Sequence, residues 1–528
     1  MKTPLTPLEA VLRTFAVHGE RPALQEGDLR LTYREFAEAT ARLMALLGGS
    51  LHAGGHALLI APNTACALLA FHAVPLCGGV IVPLNPAFSD EALNFLTRHA
   101  DPQVAFVDAA HLPRVQGTLT ELGIPVLVIG DGSDFLGRLS EFAPAPLTLP
   151  AGLDEDAPIS VNYTSGTTSD PKGVMLTHRN AAINSMDMLY HLNLRPSSVY
   201  LHALPLTHGN GWGCAWTVTV AGAAHVILRD PADLRFGLSA EAQITHLCAS
   251  PAILGPLADH PFGMALPKPV RVLIGGTSPR SSMIAALQAK GFEVLHGYGL
   301  IETSAVLTIT DLSEELLPPD PYSAPKVLAR QGHPMVYGGQ IEVVSEDGAG
   351  VPHDGQTPGE IVIRSNVVMK GYYKNRAATR RAIKDGWLHT GDLAVIHEGG
   401  RLEILDREGD LLKIGGQAIS SVQIEAVLYR HPSVREAVVV AAHDDTGDLP
   451  VAFVTLHAGA QVQGREILSF CTPHLPDYAL PRRVQLVADL PKTASGKVLK
   501  HVLRAKANET ADALRRERVA GEELGVRG

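Results

Sequence analysis

The 528-residue chain predicts an α/β protein, and three observations carry that prediction. Short apolar runs recur between helical stretches: ALLIAP, GGVIVPL, VAFVDA and PVLVIG, then AHVILR, ITHLCAS, RVLIGG and FEVLHGYG. Continuous apolar strands alternating with helices belong to largely parallel sheets that are covered on both faces. From about residue 332 the strands shorten and the turns fill with Gly and Asp, as in QIEVVSEDGAGVP and GEIVIRS, which predicts a compact antiparallel module. Charge and glycine then cluster in LDREGDLLKIGG (405–416), and the residues beyond that cluster have the pattern of a separate small α+β domain.

Leu31-Thr32-Tyr33 leads into an amphipathic helix with Phe36, Ala39, Leu43 and Leu47 on one face. Residues 57–84 are the most apolar stretch, but Asn63, His72, Pro75 and Gly78-Gly79 interrupt it. Strand, buried helix and strand are expected there, not a membrane span. Ile159 and Val161, just before residue 163, read as the end of a strand. In the last domain SVQIEAVLYRHPSVREAVVVAAH predicts helix then strand, VAFVTLHAG a strand and REILSFCTPHL a helix. The charged tail from Arg504 to Gly528 is expected to fray.

Composition narrows the function. Hydrophobic residues make up 46% and charged residues 19%, the balance of a soluble globular enzyme. A net charge of −10 gives no reason to expect nucleic acid or an anionic membrane as partner. Five scattered cysteines show no metal-ligand spacing and fit a reducing cytoplasm. The N-terminus has no apolar stretch of signal-peptide type.

The most informative segment is YTSGTTSDPKGVMLTH, residues 163–178. Thr164, Ser165, Gly166, Thr167, Thr168 and Ser169 stand in six successive positions, and Lys172 follows. Small hydroxyl residues and a glycine let N–H and O–H groups turn inward around an anion, and a lysine adds positive charge; together they make a phosphate cradle. The common P-loop is excluded, because Gly173 and Val174 follow Lys172 where Ser or Thr would be needed. Taken alone, a polar surface loop remains open.

Five segments in sequence resemble the acyl-adenylate-forming ligase family: the phosphate loop, HGYGLIET (296–303), GWLHTGDL (386–393), LDREGDLLKIGG (405–416) and PKTASGKVLK (491–500). The resemblance spans almost the whole chain. PLTHGNGWGCAWTV (205–218), ITHLCASPAIL (244–254) and KGYYKNRAATRRAIKDGWLHTGD (370–392) are most similar to the AMP-dependent acyl-CoA synthetase branch acting on short-chain, medium-chain or aromatic acids. The resemblance implies a large N-terminal ATP- and acid-binding domain (1–405), with stacked α/β sheets and a small β module. A small, mobile C-terminal α+β domain (406–528) would turn about a hinge near 406–410. It implies a carboxylic acid, ATP and coenzyme A as substrates and Mg²⁺ as cofactor, in the cytoplasm; whether the chain forms a homo-oligomer stays open.

The same resemblance distributes roles. Lys497 is similar to the lysine that bridges the carboxylate and the α-phosphate, and Lys172 belongs to the phosphate loop. Glu302 resembles the Mg²⁺-holding glutamate, with Thr164 as a second oxygen donor. Tyr298 is similar to the aromatic residue stacked on adenine, and Gly276 with Gly275 permits backbone approach to the base. Asp392 resembles the carboxylate that takes the ribose hydroxyls, and Arg407 is expected beside it, on ribose or phosphate. His208 matches a family position at the acid pocket, with Trp212, Gly213, Cys214 and Gly297 around it or on the helix that carries it. Lys413, Gly415 and Gly416 are expected to face the thiol channel, and Gly409 stands at the hinge position.

Some positions depart from the family pattern. Ile301 stands where threonine usually precedes the glutamate, Ser169 replaces the commoner glycine, and Gln417-Ala418 replaces a frequent Glu-Asn pair. Two other readings therefore stand beside the ligase: an acyl-AMP ligase loading a separate carrier protein, and an impaired nucleotide- or acyl-AMP-binding homologue.

Overall fold

The computed structural model describes residues 3–130, 132–164, 171–230, 234–239, 242–259, 266–310, 323–414, 417–444, 447–492 and 498–509. They pack as two units. The first gathers the chain up to residue 341 together with 363–388; the second holds 342–362 and the chain from 389 onward.

Two large sheets build the first unit. One has nine strands, and its central members run parallel: Phe292–Tyr298, Val270–Ile274, His246–Ala249, Val199–His202, Ala224–Ile227 and Pro22–Glu26. The other has seven strands, with a parallel run of Pro158–Tyr163, Val80–Leu84, His56–Ile60, Pro102–Asp108 and Val126–Ile129. Two antiparallel strands, Gly173–Thr177 and Gly371–Tyr372, finish this sheet beside Pro158–Tyr163. The apolar runs in the sequence are these strands.

Helix Ala65–Leu76 shows why residues 57–84 are so apolar. All twelve of its residues are buried, so no polar face survives. One core cluster joins it to Leu24 of the first sheet, to Leu59 and Phe106 of the second, and to Phe36 and Leu43 of helix Tyr33–Leu47. That last helix starts on a reciprocal cap: Thr32 accepts from the Glu35 backbone N–H, and the Glu35 carboxylate accepts from Thr32 N–H.

In the second unit, strands Val434–Asp444, Gly447–Leu456 and Arg483–Leu486 form a sheet covered on both faces. Ala437, Val439 and Ala441 point into one core with Ile424 and Ile467. Val438, Val440 and Ala442 point into another with Leu503 and Ala507. Residues 500–509 are helical, and the burial of Leu503 and Ala507 explains why. The expectation of a frayed tail from Arg504 is corrected up to 509. A smaller sheet holds Gln340–Val344, Gly359–Arg364, Trp387–Ile396 and Ile383–Lys384, with Leu402–Arg407 paired to its long strand; this is the antiparallel module expected after residue 332. Among the described residues no helix is long and apolar enough to cross a membrane.

Candidate active site

Strand Pro158–Tyr163 delivers Thr164 to the neck of the phosphate loop. Thr164 N–H donates to the Lys172 carbonyl at 3.0 Å, and Lys172 N–H meets the Thr164 hydroxyl at 3.4 Å. The chain thus leaves and re-enters the sheet at one point. Gly173 is needed just past the neck: a Cβ there would lie 2.9 Å from Val161 Cγ1 and 3.1 Å from the Tyr163 ring. Ser165, Gly166, Thr167, Thr168 and Ser169, expected in the cradle, lie outside the described residues.

Glu302 sits in the 3₁₀ turn Ile301–Thr303, directly after strand Phe292–Tyr298. The Thr303 hydroxyl accepts from Leu300 N–H at 2.9 Å and shapes the turn. The Glu302 carboxylate accepts a 2.8 Å hydrogen bond from the Tyr372 hydroxyl, and the Lys172 ammonium lies 5.2 Å from the centre of the same Tyr372 ring. Thr164, Lys172, Tyr372 and Glu302 therefore form one continuous chain of contacts. The sequence offered no role for Tyr372, although it lies in the KGYYKN stretch; the pairing of Gly371–Tyr372 with the strand after Lys172 cannot be read from sequence spacing. Among the described residues no three His, Cys, Asp or Glu side chains cluster as a protein-made metal cage.

Tyr298 ends its strand nearly buried, at 9% exposure. Gly275 and Gly276 follow the neighbouring strand Val270–Ile274. Gly276 has φ +83°, and a Cβ on Gly275 would lie 2.9 Å from the Trp212 ring and 3.0 Å from the Gly297 carbonyl oxygen. The Trp212 indole thus rests on the two glycines. Gly297 serves packing: a Cβ there would come within 2.8 Å of Val306.

The segment carrying Trp212 is unusual. Gly209, Asn210, Gly211, Trp212 and Gly213 all have positive φ, between +49° and +79°. This is a left-handed turn, costly for Asn and more so for Trp. Asn210 is anchored by donating its amide to the Ser160 hydroxyl at 2.9 Å, and a Cβ on Gly213 would collide with Asn184. His208 precedes the turn, partly buried, with its N–H bonded to the Pro205 carbonyl. Cys214 is fully buried with its Sγ 4.0 Å from that of Cys248, so it packs the helix that carries the turn. Trp216 is core as well: its Nε1–H donates to the Phe71 carbonyl.

In the second unit Asp392 and Arg407 face each other across paired strands, with Arg407 Nε 3.2 Å from an Asp392 carboxylate oxygen. Asp392 is buried and Arg407 is the more exposed partner. Gly409 lies in the turn Glu408–Asp410, where an added Cβ would meet nothing within 4 Å. Lys413 belongs to strand Leu412–Ile414, paired with Gln417–Ile419. Gly415, Gly416 and Lys497 lie outside the described residues.

Comparison with known proteins agrees with this layout. The family described as AMP-binding enzyme matches residues 11–373, and its C-terminal domain matches 423–497. The chain is 35% identical over 547 residues to the acetate/butyrate–CoA ligase AAE7, peroxisomal, of Arabidopsis thaliana, covering 96% of this chain and 95% of that protein. ATP-bound MatB from Rhodopseudomonas palustris superposes with a TM-score of 0.83 at 26% identity, over 95% of this chain and 99% of that one. The O-succinylbenzoate coenzyme A synthetase MenE of Bacillus subtilis, in complex with ATP and magnesium ion, gives 0.80 at 26%, over 93% and 98%.

Proposed function

The chain belongs to the acyl-adenylate-forming ligase family as an ATP-dependent acyl-CoA ligase, and on that basis we propose how its residues divide the work. Residues 1–405 bind ATP and the acid, and 406–528 form the mobile domain. A carboxylate acylates poorly because its leaving group would be oxide. Its oxygen therefore first bonds to the α-phosphorus of ATP, and pyrophosphate leaves. Charge builds on the phosphoryl oxygens in that step, so cations must already face them.

Lys172 and Lys497 are those cations, with the Thr164–Thr168 hydroxyl and N–H groups around the phosphates. Mg²⁺ fits the Glu302 carboxylate and the Thr164 hydroxyl, both hard oxygen donors; a site with so few protein ligands suits an ion that keeps water and substrate phosphate as its other ligands. When bound, it would neutralise phosphate charge. Asp392 takes the ribose diol through its carboxylate lone pairs, Arg407 holds it in place, and Tyr298 stacks on adenine above Gly276. His208 meets the incoming acid. In the second step the coenzyme A sulfur attacks the acyl carbonyl and AMP leaves, with Lys413, Gly415 and Gly416 along the thiol channel.

A short acid is favoured, because the bulky Trp212 indole, in the segment assigned with His208 to the acid pocket, packs against Gly275 and takes up room there; the name of the acetate/butyrate relative supports the same class. Unpaired thiols at all five cysteines suit a reducing compartment, and we assign the cytoplasm. The observation that carries the assignment is the contact chain from Thr164 through Lys172 and Tyr372 to Glu302. The test is AMP release with coenzyme A present, across acetate, butyrate, hexanoate, palmitate and benzoate. Turnover should peak among the short acids. Absence of acid-dependent exchange of labelled pyrophosphate into ATP, for every acid, would overturn the assignment.

A further inference from the structure

We propose that Tyr372 is a positioning residue for adenylation: its hydroxyl orients the Glu302 carboxylate toward the MgATP phosphates while its ring braces the Lys172 ammonium. The proposal rests on the ligase assignment above.

Residues 367–373 are stapled to both motifs at once. On one side Lys370 N–H donates to the Met175 carbonyl at 3.0 Å, and Tyr373 N–H donates to the Gly173 carbonyl at 2.7 Å. Both bonds tie the segment to the strand leaving the phosphate loop. On the other side Met369 N–H donates to the Glu302 carbonyl at 2.8 Å, and the Ser304 hydroxyl donates to the Val367 carbonyl at 2.8 Å. Tyr372 N–H is held by the Thr379 hydroxyl at 2.9 Å. Gly371 admits this approach, since a Cβ there would stand 2.8 Å from Thr379 Cγ2. The Tyr372 backbone is therefore fixed by neighbours on three sides, and the residue is only 8% exposed.

From that anchored position the hydroxyl makes a charge-assisted bond of 2.8 Å to one Glu302 oxygen. A carboxylate offers about four acceptor sites, so one bond sets its orientation and leaves capacity for a cation. The Lys172 ammonium, 5.2 Å from the ring centre, is within cation–π range. A freely rotating glutamate would have to be ordered each time MgATP arrives; here the ordering is built in.

The experiment compares wild type, Tyr372→Phe, Glu302→Gln and the double variant of the full-length chain. Calorimetry measures ATP binding without acid, once with Mg²⁺ and once with a chelator. Tyr372→Phe keeps the ring over Lys172 and should weaken MgATP binding about tenfold, the scale of one lost charge-assisted bond, while leaving metal-free ATP within about twofold. The Mg²⁺ concentration for half-maximal pyrophosphate exchange should rise in parallel. With Glu302 already changed, the second substitution should add little. Equal loss of MgATP and metal-free ATP, unchanged Mg²⁺ dependence, or full additivity in the cycle would reduce Tyr372 to a packing residue and overturn the proposal. Should Tyr372→Phe fold poorly, Glu302→Gln still decides: unchanged MgATP affinity there removes the carboxylate that Tyr372 is said to orient. A wild-type protein that binds MgATP but exchanges pyrophosphate with no acid defeats the ligase assignment instead, so the two failures are distinguishable.

Discussion

Ile301 concentrates the residue-scale question. It opens the turn that presents Glu302, at the position where the resemblance leads us to expect a threonine hydroxyl on the nucleotide phosphate. Its branched side chain fits; a Cβ on Gly209 would stand 4.0 Å from Ile301 Cγ1. Isoleucine offers shape but no hydrogen bond. Restoring the hydroxyl in Ile301→Thr should speed acid-dependent pyrophosphate exchange roughly tenfold, the return on about 1.5 kcal/mol of a bond to a charged group. An unchanged or lower exchange rate would mean the phosphate is held without residue 301. This substitution was legible in the sequence because a motif fixes its neighbours. The Thr164–Lys172 neck and the Asp392–Arg407 ion pair were foreshadowed in the same way, since both members of each pair lie in recognisable motifs. Tyr372 was not: its partner Glu302 is 70 residues away and meets it only through strand pairing.

At the scale of elements, the sequence announced the parallel strands and the wholly buried helix, because apolar runs and their breaks map directly onto burial. It did not announce how polar groups inside that core would be satisfied. Four elements meet around three histidines that are almost wholly buried: helix Ala65–Leu76, helix Cys214–Val220 and strands Val199–His202 and Ala224–Ile227. His72 Nδ1 lies 2.8 Å from the Leu68 carbonyl, which can only accept, so Nδ1 carries the proton and Nε2 accepts from Thr219 at 2.9 Å. The Thr219 hydroxyl then accepts from His225 Nε2–H at 2.8 Å, and His225 Nδ1 accepts from His202 Nε2–H at 2.9 Å. One consistent direction runs through the chain, and it requires the His72 and His225 rings to be neutral, since each accepts through one ring nitrogen. Burial pushes His72 down to about 4 and His202 down to about 3, with the neighbouring His72 adding to the latter. His225 is lowered by burial and then by both other rings. Lowered histidine pKa values mean the unfolded chain binds more protons below about pH 6.5, so stability is complete above that value and falls toward pH 4. Each such histidine adds a slope of up to about 1.4 kcal/mol per pH unit. Burial lowers His178, His246 and His296 to about 4 as well, with the same sign. Asp187, raised to about 6 by burial, opposes them, as does Glu425, whose carboxyl burial also raises. Urea unfolding should therefore show a marked loss of stability between pH 6.5 and 5 with little change between 7 and 8. A flat profile would mean the rings are not held neutral.

For the whole molecule the issue is how one chain serves two half-reactions. Within the second unit a polar network surrounds Asp406. Asp406 accepts from Ser421 N–H at 2.9 Å and from its hydroxyl at 2.5 Å, and Lys500 donates to the same hydroxyl at 2.5 Å. The Lys500 ammonium also lies 3.3 Å from Glu425 and 3.8 Å from Asp406. Burial alone would lower its pKa, but Glu425, Asp406 and Asp410 outweigh burial and raise it, so the ammonium stays charged. Arg504 pairs with Asp410. Residues 500–509 are thus tied to the chain on both sides of Gly409, through Asp406 and Asp410. Gly409 itself meets no obstacle that would forbid a side chain. If rotation about this turn separates adenylation from thioester formation, two substitutions should act in opposite senses. Lys497→Ala should abolish pyrophosphate exchange yet spare thioester formation from supplied acyl-AMP. Gly409→Pro, which fixes φ near −65°, should leave exchange within a few-fold and slow the thioester step by about tenfold or more, an effect of at least roughly 1.4 kcal/mol. Equal loss of both half-reactions in either variant would remove the hinge from the mechanism, because a residue that only supports folding cannot tell the two steps apart.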